Sequence, residues 1–528
     1  MKKITSFFVT ALFLYSTAFF AQQEYLDETF GNNGIVFQYY GDALGGYESE
    51  FKTIVYQPDG KFITGSNFHQ HGPNQRYVIN QYNSDGTLNS AFGTNGYVVS
   101  NVNNNIGTIQ LQSDGKIVTY SVEGNLDSSF SYLIRYNADG SLDDSFGVNG
   151  TVIDELNTIK SFSIQLNDKI VVVKTPEYYG YSTNFIIERH NSNGGLDVGF
   201  GSNGTVDFSL AQSNILPQDL AIQEDGKIVI CGLVRSNNVD DYSSDIILIR
   251  FDDDGSLDAT FGNQGIKVFD YDYYDYFKNL LIQKDGNLTF SISSYGDESI
   301  IRIIRLNADG GLDGTFGNDG VKIIDYPIIN VLSIKQLSNG KLLVAGVYET
   351  SVNPSPNDNT TPSGIVIVCY DANGDLDLDF GQNGNITTTI ENHRVLDDQL
   401  VIQPDGKILV GATFSNAWFS THPRAAVLRY DPAKKLSNPQ FNSKRAFLIY
   451  PNPVGEMITL DFTLQQSEVL SIELYGNDGR KILNLLKKQE FQSGFNSQKL
   501  DLLGTLAEGV YFLTISNGTS ATTIKIVK

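Results

Sequence analysis

Cysteine is nearly missing: Cys231 and Cys369 are the only two in 528 residues, and each sits inside a run of β-type residues. That excludes a disulfide-stapled scaffold, and both thiols read as small buried apolar side chains. Basic residues are scarce too, with 37 Lys and Arg against 60 Asp and Glu and a net charge of −23. The deficit is uneven, since residues 22–432 hold 24 basic against 52 acidic side chains, whereas residues 433–528 hold 11 against 8. So acidic a main body repels phosphate backbones and anionic lipid, which excludes nucleic acid as a partner and leaves neutral glycans, cations and basic proteins. There are only five histidines, and no G-x-S-x-G elbow, H-E-x-x-H helix or glycine-rich phosphate loop. Long apolar runs are absent beyond Phe7 to Phe20, which Thr10, Ser16 and Thr17 interrupt. With Lys2 and Lys3 before it and Ala21-Gln22 after it, this run reads as a secretory signal over residues 1–21. No transmembrane segment is expected after its removal.

Helical periodicity is equally hard to find. Short alternating or continuous runs of Ile, Val, Tyr and Phe, bounded by Gly, Asn and Asp, give an all-β pattern instead. The runs are phased by a motif typified by Leu142-Asp143-Asp144-Ser145-Phe146-Gly147-Val148-Asn149-Gly150. It begins again at Leu26, Leu88, Leu196, Leu257, Leu312 and Leu376, with a mean period of about 58 residues. Such self-similarity marks propellers and solenoids. Between copies come a hairpin turn, as in Asp225-Gly226-Lys227, and a second turn, as in Arg135-Tyr136-Asn137-Ala138-Asp139-Gly140. The third repeat's Asn167-Asp168-Lys169 looks like a shortened hairpin.

Four strands fit in each repeat. In the fifth, Gly265 to Phe269 opens as strand A, Asn279 to Gln283 is B, Leu288 to Ile292 is C and Ile300 to Leu306 is D. The Leu and Phe of Leu-Asp-x-x-Phe-Gly are expected to plug the gap between blades, while the two glycines reverse the chain. The expected fold is a seven-bladed β-propeller of four-stranded blades over residues 22–432. A basic linker, 433–446, and a small Ig-like β-sandwich, 447–528, follow it.

Strand alternation puts the B-to-C turns and the blade-to-blade loops on one face, and the variable A-to-B and C-to-D loops on the other. Aromatics gather on the variable face: Tyr178, Tyr179 and Tyr181 in the third repeat, Tyr271, Tyr273, Tyr274 and Tyr276 in the fifth, and Trp418 with His422 in the seventh. Aromatics among carboxylates suit a sugar's apolar face and hydroxyls, or a protein hot spot; they also suit tyrosines that merely cover blade edges. On the other face Asp252, Asp254 and Asp258 offer oxygens at intervals of two and four, the one place where calcium is considered. Asx-turns account for the same residues without an ion. No catalytic residue stands out, although acid pairs for glycoside cleavage remain open among so many carboxylates.

The Phe-Gly-x-x-Gly, Asp-Gly-Lys and Arg-x-Asn-x-Asp-Gly pattern resembles the bacterial delta-60 repeat family, which implies a β-propeller and no particular activity. In the C-terminal region, Tyr450-Pro451-Asn452-Pro453, then Asn477-Asp478-Gly479-Arg480, then Gly509-Val510-Tyr511-Phe512 resemble the type A C-terminal sorting domain of the type IX secretion system. That resemblance implies handling by the type IX machinery and release from, or attachment to, the surface of a Gram-negative cell. The expected function is a secreted or surface propeller that binds a glycan or protein without catalysis. A polysaccharide hydrolase or lyase and a pure display protein are the alternatives.

Overall fold

The computed structural model describes residues 25–433 and 447–528, apart from 39–45, 71–74, 101–103, 125–128, 177–181, 212, 237–242, 272–273, 296–298, 325–327, 350–362, 390–392, 417–422, 451–456, 465–466, 477–479, 503–505, 508 and 518–520. The signal segment 1–21 and all but the first residue of the linker lie outside the described residues. Every regular element described is a β-strand, and the chain divides into two compact units, 1–434 and 435–528.

The described residues of the first unit form seven four-stranded antiparallel sheets. Their innermost strands are Gly46–Tyr56, Asn105–Leu111, Thr158–Ile164, Ser213–Ile222, Tyr274–Ile282, Ile328–Gln336 and His393–Ile402. Each packs against the next and the last against the first, so the sheets form a closed ring. Apolar side chains alternate along these strands, and a blade with two apolar faces is buried only between neighbours.

Contrary to the expectation from sequence, the strand at the head of each repeat does not join the three that follow it. Ile266–Phe269 pairs with Asp245–Phe251 of the preceding repeat, in the register Ile246↔Phe269 and Ile249↔Ile266. The cause is the reversal at Phe261-Gly262-x-x-Gly265, where Gly262, Gln264 and Gly265 all take positive φ and fold the chain back along the strand it has just left. A side chain on Gly262 would meet the Ile266 carbonyl at 2.5 Å. Every repeat is therefore shared between two sheets.

The seventh sheet shows the consequence. Its three inner strands come from the seventh repeat, and its outermost strand, Ile35–Phe37, comes from the first, pairing Ile35↔Leu428 and Phe37↔Ala426. Backbone bonds Asp27 N to Arg429 O and Arg429 N to Gly34 O extend this closure, both at 2.9 Å. Like Ile35–Phe37, the outermost strands of the other sheets are short, which leaves little edge for another chain to extend.

The motif phenylalanines behave as expected: Phe30, Phe92, Phe146, Phe200, Phe261, Phe316 and Phe380 are at most 8% exposed. The leucines do not. Leu88, Leu142, Leu196, Leu257, Leu312 and Leu376 are 37–43% exposed, and only Leu26 is buried. Each packs on its own loop, as Leu142 does on Gly150, whose missing side chain leaves that space. The third-repeat hairpin is also of normal length, because Asp168 takes the glycine position at φ 62° and Gln165 N still bonds Lys169 O.

The sheets are joined by a polar device that sequence reading missed. Arg250 Nε donates to Asp258 at 2.7 Å, its guanidinium lies 4.6 Å over the Phe261 ring, and its Nη1 donates to the Ala308 carbonyl in the next repeat's turn. Lys227 from the hairpin adds a second cation 3.0 Å from Asp258. The same set recurs at Arg135 and Arg189, at Arg305 Asn287 takes the lysine's place beside Asp313, and at the closure Arg429 bonds Asp27 and Ser84 O while covering Phe30 at 4.5 Å. In the first repeat's strand Gln81 replaces the arginine and Asn89 the aspartate, and Gln57, Gln81 and Asn89 make a neutral chain of hydrogen bonds. In the sixth, Cys369 stands in the arginine's place beside Asp377, which keeps its lysine, Lys341, at 2.6 Å. Both cysteines are buried and form no disulfide.

The second unit has a three-stranded sheet, Phe447–Tyr450, Met457–Leu464 and Gly494–Asp501, and a four-stranded sheet ordered Lys481–Phe491, Glu468–Gly476, Val510–Ser516 and Ala521–Val527. Ile458, Leu460 and Phe462 of the first sheet share a core with Leu470, Ile472, Leu474, Leu513 and Ile526 of the second. The rings of Phe462 and Phe491 meet edge to face at 5.1 Å. The unit is a two-layer sandwich.

The blade-to-blade device is open to test by substitution and by pH. Arg250→Ala leaves Asp258 buried with one cation fewer and uncovers Phe261; in urea titration it is expected to cost about 3 kcal/mol, and Arg250→Lys, lacking the planar fork, to recover little of it. As for pH, burial pushes the Asp143 carboxyl up, but hydrogen bonds from Ser145 and the Lys116 and Arg135 cations outweigh it and hold the group at about 2. A carboxylate depressed in the folded state stabilises above its unfolded pKa of about 3.9 and loses that contribution as pH falls through the folded value. The melting temperature should therefore be flat from about pH 7 to about 5 and fall between about pH 4 and 2. Asp143→Asn should lower it at neutral pH and flatten the acid limb.

Candidate ligand-binding site

The hairpin-turn face is built from groups already committed to one another. Asp258 faces Arg250 and Lys227, Asp252 pairs with Lys227, and Asp254 accepts the Ser256 amide at 2.9 Å and its hydroxyl at 2.6 Å. The three carboxylates weighed for calcium are thus engaged by cations or by their own turn, and no cluster of three metal-ligating side chains occurs among the described residues. The Asx-turn accounts for Asp254.

The variable face is only partly described. Tyr178, Tyr179, Tyr181, Tyr273, Trp418 and His422 lie outside the described residues, and Tyr274 is placed only as the first residue of Tyr274–Ile282. Tyr271 is half-buried: it stacks on Phe269 at 6.3 Å, lies 4.6 Å under the Arg302 guanidinium, and its amide donates to Asp275 Oδ2 at 3.1 Å. Burial pushes its phenol pKa up, with Arg302 opposing. Tyr276, two positions further along the innermost strand from Tyr274, is 45% exposed. Of the aromatics named from sequence, Tyr276 is the exposed one among the described residues.

The throat of the ring carries a second device absent from the sequence reading. Six residues before each hairpin's first residue (Asp225 in the fourth repeat) stands a polar side chain: Thr53, Thr108, Ser161, Asp219, Asn279, Ser333 and Gln399. These hand hydrogen bonds round the ring. Ile109 N donates to Thr53, Leu280 N to Asp219, Leu400 N to Ser333 and Ile54 N to Gln399. Asp219 is the one carboxylate in the set; burial raises its pKa, and the Leu280 and Leu220 amides oppose that. A raised acid suits proton donation to a leaving group. Here, however, both oxygens accept backbone N–H groups, at 2.8 and 3.2 Å.

Between the second and third sheets lies a further charged group. Lys174, 3% exposed, sits between Asp154 of one sheet and Glu188 of the next, and His190 Nε2 is 3.1 Å from Glu188. Burial pushes Glu188 up, but His190 and Lys174 outweigh it and hold the carboxyl below its usual range. The cluster locks two sheets together.

At the outer rim between the first two sheets lies a cleft of about 990 Å³. Its floor holds Tyr77 and Tyr136, whose hydroxyls meet at 2.8 Å, and its walls include Tyr97, Tyr132, Val98 and Ile153. A smaller crevice of about 330 Å³ lies between the third and fourth hairpins, beside Gln165 and Asp253.

In the second unit, Tyr450 pairs with Thr459, while Pro451, Asn452 and Pro453 lie outside the described residues. Gly509 exchanges two 2.9 Å backbone bonds with Lys528, Val510 opens an inner strand, and the Tyr511 hydroxyl donates to Ala507 O at 2.8 Å. The Gly-Val-Tyr motif thus pins the C-terminal strand.

Comparison with known proteins agrees with both units. Residues 57–92, 112–146, 223–261, 337–380 and 403–433 match the domain of unknown function (DUF5122) beta-propeller, and residues 448–528 match the secretion system C-terminal sorting domain. No curated protein matches the chain. Among solved structures it is similar to the polysaccharide lyase Uly1, with a TM-score of 0.42 and 11% identity over 74% of this chain and 91% of that one. It is also similar to a protein of unknown function from Dyadobacter fermentans, with a TM-score of 0.39 and 12% identity over 75% and 98% of the two chains. A third is the NanB sialidase from Streptococcus pneumoniae, with a TM-score of 0.38 and 11% identity over 75% and 71%. The chain thus carries a DUF5122 β-propeller repeat region followed, at its C-terminus, by a type IX secretion sorting domain.

Proposed function

We propose that this protein is carried to the cell surface or the medium by the type IX machinery and there binds a glycan or protein through the variable face of its ring, without catalysis. One observation carries the reading. Asp252, Asp254 and Asp258 on the hairpin face are committed to Arg, Lys and Ser partners, whereas Tyr276, near the opposite end of its strand, is 45% exposed. Aromatic rings fixed at a rigid strand end give contact area at little entropic cost. A polysaccharide hydrolase or lyase is the second reading, favoured by the raised pKa of Asp219 in the throat.

The test is a screen of the mature chain against glycans and secreted proteins, with and without calcium and with product analysis of each hit. Tyr276→Ala is expected to weaken at least one partner about tenfold, or about 1.4 kcal/mol, with no cleavage of any glycan. Cleavage would replace binding by catalysis, and the lack of any Tyr276-dependent partner would overturn the reading in favour of display.

A further inference from the structure

The clefts between sheets share one backbone plan and differ in the side chains that fill them, so equivalent positions can be compared directly. Between the sheets of the third and fourth repeats, the rings of Phe185, Phe208 and Phe251 interlock, Phe208 lying 5.1 Å from Phe185 and 5.5 Å from Phe251. By position in the repeat, the equivalents between the first two sheets are Tyr77, Ser100 and Tyr136. The middle ring is missing. Ser100 turns its hydroxyl to the Tyr77 amide at 3.2 Å, and the two outer rings carry hydroxyls that bond each other. Beside them the cleft of about 990 Å³ opens.

The lining specifies what fits. Tyr97 and Tyr132 add two more phenols to the walls, and Thr94, Ser141 and Asn149 ring the mouth with neutral hydrogen-bonding groups. Among the described residues no Lys, Arg or His lines the cleft, and the one carboxylate there, Asp139, already accepts the Ser141 amide and hydroxyl at 2.9 and 2.7 Å. An anion would meet no cation in that lining and would face a chain of net charge −23. A cavity of this size, with apolar walls and a few neutral polar groups, suits a small ligand with an apolar face and hydroxyl edges. We infer that this peripheral cleft is a binding site for a neutral sugar, whose ring face packs where the cleft between the third and fourth sheets holds the Phe208 ring and whose hydroxyls bond the tyrosine, serine and threonine oxygens. The site is separate from the variable face and stands on its own observation.

Isothermal titration of the mature chain with neutral gluco-, manno-, galacto- and xylo-oligosaccharides tests it, using one substitution at the mouth. Ile153 is 55% exposed, so Ile153→Trp fills the cleft without disturbing the core. Val268, 45% exposed, holds the same repeat position in another cleft and gives the control Val268→Trp. Expected is binding of at least one oligosaccharide that falls tenfold or more in Ile153→Trp and is kept in Val268→Trp and in Tyr276→Ala, with unchanged melting temperatures. Binding kept in Ile153→Trp, or lost only in Tyr276→Ala, would overturn the cleft while leaving the variable-face reading intact. Failure to bind any neutral oligosaccharide would overturn the cleft as well, and uptake of the apolar dye Nile red alone would reassign it to apolar ligands.

Discussion

The interaction on which most of the ring depends is a guanidinium that reaches across a sheet boundary, present at five of the seven positions. Arg135, Arg189, Arg250, Arg305 and Arg429 each bind an aspartate of their own motif, cover its phenylalanine, and donate to a carbonyl in the next repeat's turn. One side chain thus fixes the reversal loop, caps the hydrophobic plug and sets the angle to the neighbouring sheet. Buried charge is costly unless satisfied in full, and here lysine, serine or threonine groups supply the aspartate's remaining bonds. The first repeat, where Gln81 and Asn89 replace both charges together, indicates that what is required is the completed network rather than its charge.

Much of the fold was legible in the repeats. The buried phenylalanines, the positive-φ glycines and the alternation of faces all follow from local chemistry that each copy restates. Strand pairing was not legible, because an antiparallel run such as Ile266–Phe269 offers two edges and nothing in its own residues says which neighbour it chooses. The reversal at Gly262 and Gly265 makes that choice. The half-exposed leucines misled for a related reason: an apolar residue in a glycine-rich loop can shield its own loop instead of a sheet interface.

The site was less legible than the fold. Aromatic density drew attention to Tyr271 and Tyr276, yet the first is packed under Arg302 and only the second is exposed. The throat residues and the rim cleft depend on comparing equivalent positions across repeats rather than on any motif. Ser100 looks ordinary until it is set beside Phe208, and Asp219 until it is set beside Thr53, Ser161 and Ser333. Likewise the Arg–Asp pairs emerge only from comparing repeats, since both members change at Gln81 and Asn89 and only the arginine does at Cys369.

The manner of closure has a mechanical side. Tyr25 and Leu26 lie against Asp431 and Tyr430, so the chain enters and leaves the closing sheet at the same end. A force drawing the two termini apart would act on these antiparallel strands as on a zipper, opening Asp431–Tyr25 first, then the Arg429–Asp27 pair, and only then Ile35 from Leu428.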